Sequence, residues 1–152
     1  MKHHSKFFCI CAFLATAVFL PAQTAIEIEE LLENEALNYE RIVSFVLEAA
    51  DFNGFSGPEE AFRFAGDKKW LPRNASPGGE ATLEGVSLLI MQSFNIRGGI
   101  FYSLLNTPRY AYRELIYQDI IQGRADPEMK VSGDLLLFLV NRVLSFRETE
   151  DL

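Results

Sequence analysis

Cysteine and histidine are almost missing from this sequence. The two of each are Cys9, Cys11, His3 and His4, all within the first eleven residues. Those eleven belong to a stretch that reads as a leader. Lys2, His3, His4 and Lys6 make a basic start, and Phe7 to Leu20 is an apolar run of export-signal length, shorter than the roughly 20 residues a membrane span needs. Small residues in Pro21-Ala22-Gln23-Thr24-Ala25 place cleavage between Ala22 and Ala25. Residues 1–25 are therefore expected to be a cleaved export signal peptide, and the chain to reach the periplasm or cell envelope. Both cysteines sit inside the apolar run and not at its end, which excludes a lipoprotein reading. Beyond the leader there is no thiol nucleophile, no imidazole base, no Cys/His zinc site and no disulfide.

Positive charge is also scarce. After the leader, 12 basic residues face 21 acidic ones, a net −9 against −7 for the whole chain. No run of lysine and arginine is present, so nucleic acid is excluded as a partner and anionic lipid is disfavoured. No apolar run after residue 25 reaches membrane-spanning length, so no transmembrane span is expected after signal cleavage. About 128 residues remain, enough for one domain that buries roughly two-thirds of its unfolded surface. Without a disulfide, that core has to supply the stability.

What the chain does have is an internal duplication. Residues 58–97 and 108–146 align at an offset of 50 with no gap. Pro58 falls on Pro108, Ala61 on Ala111, Arg63 on Arg113, Ala75 on Ala125, Pro77 on Pro127 and Leu89 on Leu139. Phe62 meets Tyr112, Trp70-Leu71 meets Ile120-Ile121, and Thr82 meets Ser132. Each copy reads as a helix, a loop containing proline, a hydroxyl N-cap and a second, very apolar helix. A period of this size marks stacked supersecondary units. The fold expected is all-α, with helix-loop-helix repeats packed as a small bundle.

The remaining segments fit around the copies. From Ile26 to Phe52 the pattern is helical, with Ile28, Leu31 and Leu32 on one face and Leu37, Ile42, Phe45, Val46 and Ala49 on a second run. Asn38 aligns with Thr82, Glu40 with Glu84, Ile42 with Val86, Phe45 with Leu89 and Gly54 with Gly98. Residues 26–57 thus read as N-terminal helices forming a degenerate half repeat that covers one end of the stack. Pro58 and Pro108 suit the first turn of a helix, where the missing N–H costs nothing. Helix one is expected to reach Trp70 in the first copy. In the second it is expected to end near Gly123, with Ala111, Leu115, Ile116 and Ile120 inward. Thr82 and Ser132 are N-caps. Residues 98–107 form a connector whose Ile100-Phe101-Tyr102 reads as loop or helix, Leu135–Val140 reads as helix and not strand, and 147–152 is expected to be a frayed tail.

In the second copy, Tyr110-Ala111-Tyr112, Leu115, Asp119-Ile120-Ile121-Gln122-Gly123, Asp126 and Ser132 before a leucine-rich helix resemble the S-layer homology module. That family carries an aromatic–Ala–Tyr on helix one, a Gly-Ile-Ile-x-Gly turn, an Asp- and Pro-containing loop, and Thr-Arg-Ala-Glu opening helix two. The likeness covers Tyr110 to Leu144. It extends to Ala61–Phe94 through the internal repeat, with Trp70-Leu71-Pro72 where the turn would be. The resemblance implies a pseudo-threefold bundle of three modules that docks a domain onto a cell-wall glycan. The tetrad that centres glycan contacts in the family is replaced here by Thr82-Leu83-Glu84-Gly85 and Ser132-Gly133-Asp134-Leu135, without its arginine and its glutamate.

The expected role is therefore non-enzymatic: binding or scaffolding at the cell wall or envelope, with an envelope glycan or envelope protein as partner. The alternative is a periplasmic protein–protein adaptor with no glycan ligand. Arg73, Arg97, Arg109 and Arg124, with the aromatic Trp70 and Tyr110, are the candidate ligand-binding residues. Pro58, Pro108, Arg63, Arg113, Thr82 and Ser132 are repeat positions expected to be structural. Asp67 with Glu80, or Asp126 with Asp134, could serve glycoside hydrolysis, but nothing in the sequence places either pair about a sugar. No cofactor is expected, and no metal, since the alternating oxygen ligands of a calcium loop are missing. Two and a half units leave a side open for self-association.

Overall fold

Three short polar side chains start the three central helices. Asn38 Oδ1 accepts from the Arg41 N–H at 2.9 Å, Thr82 Oγ1 from Gly85 at 3.3 Å, and Ser132 Oγ from Leu135 at 3.3 Å. Each thereby satisfies one of the amide donors that a helix N-terminus leaves open. The computed structural model describes residues 28–123 and 125–150, and the expected leader, its cleavage site and Arg124 lie outside the described residues. A helical turn at 28–32 precedes α1 (Tyr39–Ala49), α2 (Pro58–Asp67), α3 (Leu83–Ser93), α4 (Ile100–Leu105), α5 (Pro108–Tyr117) and α6 (Gly133–Glu150). The protein is all-α; extended pairing among the described residues is limited to two isolated bridges, Asn38 with Glu80 and Thr82 with Lys130.

Those bridges are parts of a closed ring. The residue before each cap donates its N–H to one neighbour and accepts from the other: Leu37 to Val131 at 2.9 Å, Val131 to Ala81 at 3.0 Å, and Ala81 to Leu37 at 2.9 Å. All three residues are buried. One step further on, Tyr39 donates to Gly79, Leu83 to Met129 and Gly133 to Asn34, at 2.9 to 3.1 Å. The Pro77 and Pro127 carbonyls then accept from Glu40 and Glu84 at 3.1 and 2.9 Å. The loop of each copy therefore caps the central helix of the unit before it. Below the ring, α1, α3 and α6 descend with Ile42, Val86 and Leu136 buried at one level and Val46, Ile90 and Val140 at the next.

An outer helix packs on each of the first two central helices, α2 on α1 and α5 on α3. Pro58 and Pro108 both sit in the first turn, and Ala61 and Ala111 are buried at the contact, where a small side chain lets the helices approach. Helix one stops earlier than the apolar pattern predicts, at Asp67 and Tyr117 instead of near Trp70 and Gly123. The reason is a left-handed residue at equivalent places, Lys69 (φ 61°) and Asp119 (φ 57°). Trp70 N–H then bonds back to Ala65 and Ile120 N–H to Leu115, both at 2.9 Å, closing a Schellman motif. Asp51 and Asn95 end α1 and α3 in the same way, with Phe52 to Leu47 and Ile96 to Met91.

Residues 33–38 leave the helix to join the ring, separating the helical turn at 28–32 from α1, and Ile28 and Leu32 are exposed while Leu31 is buried. Two other expectations are corrected. Ile116 points outward, whereas Ile120 is buried from beyond the helix end. The connector 98–107, read as loop or helix, contains the helix α4. The 147–150 part of the expected tail is helical, where Arg147 lies 5.9 Å over the Phe94 ring and Thr149 Oγ1 bonds to the Phe146 carbonyl.

Two glycines allow the central helices to start where they do. A methyl group on Gly133 would overlap the Leu31 carbonyl, and one on Gly85 would overlap the Tyr39 hydroxyl and the Pro72 ring. Gly133→Ala is expected to cost about 1–3 kcal/mol in urea unfolding. Gly78→Ala, where nothing lies within 4 Å, should stay within about 0.5 kcal/mol. In the same assay Thr82→Ala should cost ~1 kcal/mol through loss of its cap.

Candidate functional site

The approximate threefold arrangement gives three grooves, each beside a central helix. The first, about 570 Å³, is lined by Leu31, Arg41, Ser44 and Pro58 among others. The second, about 810 Å³, is lined by Leu71, Glu84, Leu88 and Pro108 among others, with Leu88 and Pro108 at the repeat positions of Ser44 and Pro58. The third, about 410 Å³, includes Ile120 and Phe138. Their polar groups differ in one respect. Arg41 of the first groove is held by Glu30 at 2.7 Å. Arg142 of the third is tied to the Asp119 carbonyl at 2.5 Å. Lys69 and Arg73 of the second are exposed and form no ion pair among the described residues.

The second groove is built by local geometry. The left-handed turn at Lys69 brings the end of α2 round so that Leu71 is buried and Pro72 lies beside Gly85. Arg73, Asn74 and Ala75 then form one wall, α3 provides Glu84 and Leu88, and Leu105, Asn106 and Thr107 close the far end. Phe62 lies in the floor. Its equivalent Tyr112 uses a hydroxyl to bond the Ala125 carbonyl at 2.5 Å, a brace that phenylalanine cannot make. The amide donors of Leu83, Glu84 and Gly85 are already taken by Met129, Pro127 and Thr82. An anion in this groove would therefore meet the Lys69 and Arg73 side chains, because the helix N-terminus has no spare donors in that turn.

Of the six candidate ligand-binding residues, the five that are described do not converge. Arg73 lines the second groove, while Arg97 lines a separate hollow of about 330 Å³ with Gln92, Asn95, Tyr102 and Ser103. Arg109 is exposed next to Pro108, and Arg124 lies outside the described residues. Trp70 is half-buried in a cluster with Phe52 and Phe64, at ring distances of 5.4 and 5.6 Å. Tyr110 stacks on Phe101 at 6.0 Å and carries the Arg113 guanidinium over its ring. Arg63 pairs with Glu59 one turn back. Lys69 and Glu84 were not among the residues singled out from sequence. The available signal was the cation at 69 in the repeat position that Asp119 occupies in the second copy.

The acid pairs are separately engaged. Glu80 lies 3.5 Å from Lys130, and Asp126 Oδ1 accepts from the Glu128 N–H. Among the described residues no group of three His, Cys, Asp or Glu side chains could hold a metal ion, and no helix is long and apolar enough to cross a membrane. Searches against protein families, characterised proteins and solved structures give no significant match to the chain.

Tyr102 anchors α4 to α3. Its hydroxyl accepts from Gln92 Nε2 at 2.6 Å, and the same amide donates to Asn106 Oδ1 at 2.7 Å. Burial pushes the phenol pKa up, the Glu114 charge adds to this, and the Gln92 bond opposes it. A raised folded value means this contribution to stability is complete below the ordinary phenol range and is lost as pH rises through the folded value. In a tyrosinate absorbance titration, Tyr102 should ionise above the ordinary phenol range, and Tyr102→Phe should remove that late step.

Proposed function

We propose that the protein is an exported, non-enzymatic module that holds an envelope component by contact, with the second groove as the binding site. The observation that carries this reading is the pair of cations, Lys69 and Arg73, with no ion-pair partner among the described residues, above an apolar floor of Phe62, Leu71 and Leu88. Asn74, Asn106 and Thr107 add donors and acceptors at the rim. Such a lining suits a cell-wall glycan segment bearing carboxylates, where charge-assisted bonds to the cations add to ring contact with the floor. Kinship with the S-layer homology module is part of the proposal, supported by the repeated unit and the three-way ring. The periplasm or cell envelope is the compartment the leader implies.

A binding role is favoured over catalysis by the chemistry of the groove. Glu84 is its one carboxylate, and nothing in its lining is a thiol or an imidazole. Glycoside hydrolysis in its common form needs two carboxylates flanking the bond.

Co-sedimentation with purified cell-wall sacculi tests the reading. Lys69→Gln with Arg73→Gln should weaken pelleting at least about tenfold, the loss of roughly 1.4 kcal/mol expected for charge-assisted contacts. Arg97→Gln, in the other hollow, should pellet like the parent. Pelleting that disappears once bound proteins are stripped from the sacculi would point to the protein–protein adaptor instead.

A further inference from the structure

The two connectors between units differ by one helix. From the left-handed Asp51 to Pro58 the chain needs six intervening residues, and from the equivalent Asn95 to Pro108 it uses twelve. The additional six match the length of α4, Ile100–Leu105. At 100° per residue, Ile100, Leu104, Phe101 and Leu105 fall within an arc of about 140°, while Tyr102 is buried on the opposite side and Ser103 Oγ bonds back to the Gly98 carbonyl. The four apolar side chains are 83%, 78%, 66% and 49% exposed. The insertion therefore adds little to the core and presents a protruding apolar ridge to solvent.

Positive charge lies beside the ridge at Arg113 and next to α4 in the chain at Arg97 and Arg109. Arg113 sits over Tyr110, whose ring stacks on Phe101, and the exposed Arg97 and Arg109 flank α4 in the chain. None of the three forms an ion pair among the described residues. One carboxylate, Glu114, lies beside Gly99. The whole chain is acidic, at −7. Charges beyond a Debye length of roughly 8–10 Å are largely screened, so this local excess governs what docks there.

We propose that α4 is a membrane-surface anchor, with Ile100, Phe101, Leu104 and Leu105 entering the interface of a bilayer and Arg97, Arg109 and Arg113 contacting anionic headgroups. A bilayer accepts a convex apolar ridge without a matching socket, whereas a protein partner must supply one, and cation-flanked apolar helices bind anionic lipid by both forces together. The anchor shares only Leu105 with the glycan groove and stands whether or not that groove binds.

Vesicle flotation tests it, using the processed chain that begins after the leader, since the described fold lies within 28–150. The parent should float with phosphatidylcholine vesicles containing about 30 mol % phosphatidylglycerol, and several-fold less with phosphatidylcholine alone or in about 0.5 M salt. Ile100→Ser with Leu104→Ser, both highly exposed, should keep the circular dichroism spectrum and lower flotation at least about tenfold. Arg97→Gln with Arg113→Gln should abolish the preference for anionic vesicles. Lys69→Gln with Arg73→Gln should float normally, which separates this test from that of the groove. Failure of the parent to float, or equal flotation of the serine variant, would overturn the proposal. So would a dimer by light scattering that the serine variant dissociates, because the ridge would then be an interface between copies.

Discussion

The fold depends on three backbone hydrogen bonds among Leu37, Ala81 and Val131 that close on themselves. Each of these residues is buried, so an unpaired amide or carbonyl there would carry the full cost of desolvation. The ring removes that cost only when all three segments are in register. It also sets where the central helices begin, because Asn38, Thr82 and Ser132 follow immediately and turn the chain into α1, α3 and α6. The helices then share one axis of approach and bury equivalent side chains level by level. Register, helix start and core packing are one constraint seen at three scales.

The same constraint explains which residues recur. Pro77 and Pro127 matter for their carbonyls, which cap the helix of the preceding unit. Ala61 and Ala111 recur because an outer helix must come close to its central one. Arg63 and Arg113 recur on the surface, where one pairs with Glu59 and the other covers Tyr110. Among these recurring residues the prolines and alanines lie where segments touch, and the two arginines face water. The three grooves differ: two have their arginine tied down within the chain, and the middle one presents Lys69 and Arg73 outward. The inserted α4 is a second departure from the repeat, and its ridge also faces solvent.

Much of the architecture was legible in advance because it is written in local chemistry and in self-similarity. The caps at Thr82 and Ser132 follow from a hydroxyl placed before an apolar helix, and the alignment of Asn38 with Thr82 follows from the repeat. Helix ends were less legible. The apolar pattern runs on through Trp70 and Ile120, since the first is half-buried and the second buried, yet the chain has already turned at Lys69 and Asp119. Burial alone does not distinguish the last turn of a helix from the first residue after it. Ile116 misleads in the opposite sense, with an apolar side chain that the bundle leaves in water.

The amino-acid order alone determined the duplicated helical unit, its caps and the lack of thiol and imidazole chemistry beyond residue 11, because each depends on residues close together in the chain or on simple counting. The grouping of charges was decided by the tertiary structure. Arg73 and Arg97 look alike in sequence and line different hollows. Lys69 joins Arg73 only because a left-handed turn swings the end of α2 towards α3. Which side chains share a surface is set by turns and by contacts between distant segments, and no local pattern encodes those distances.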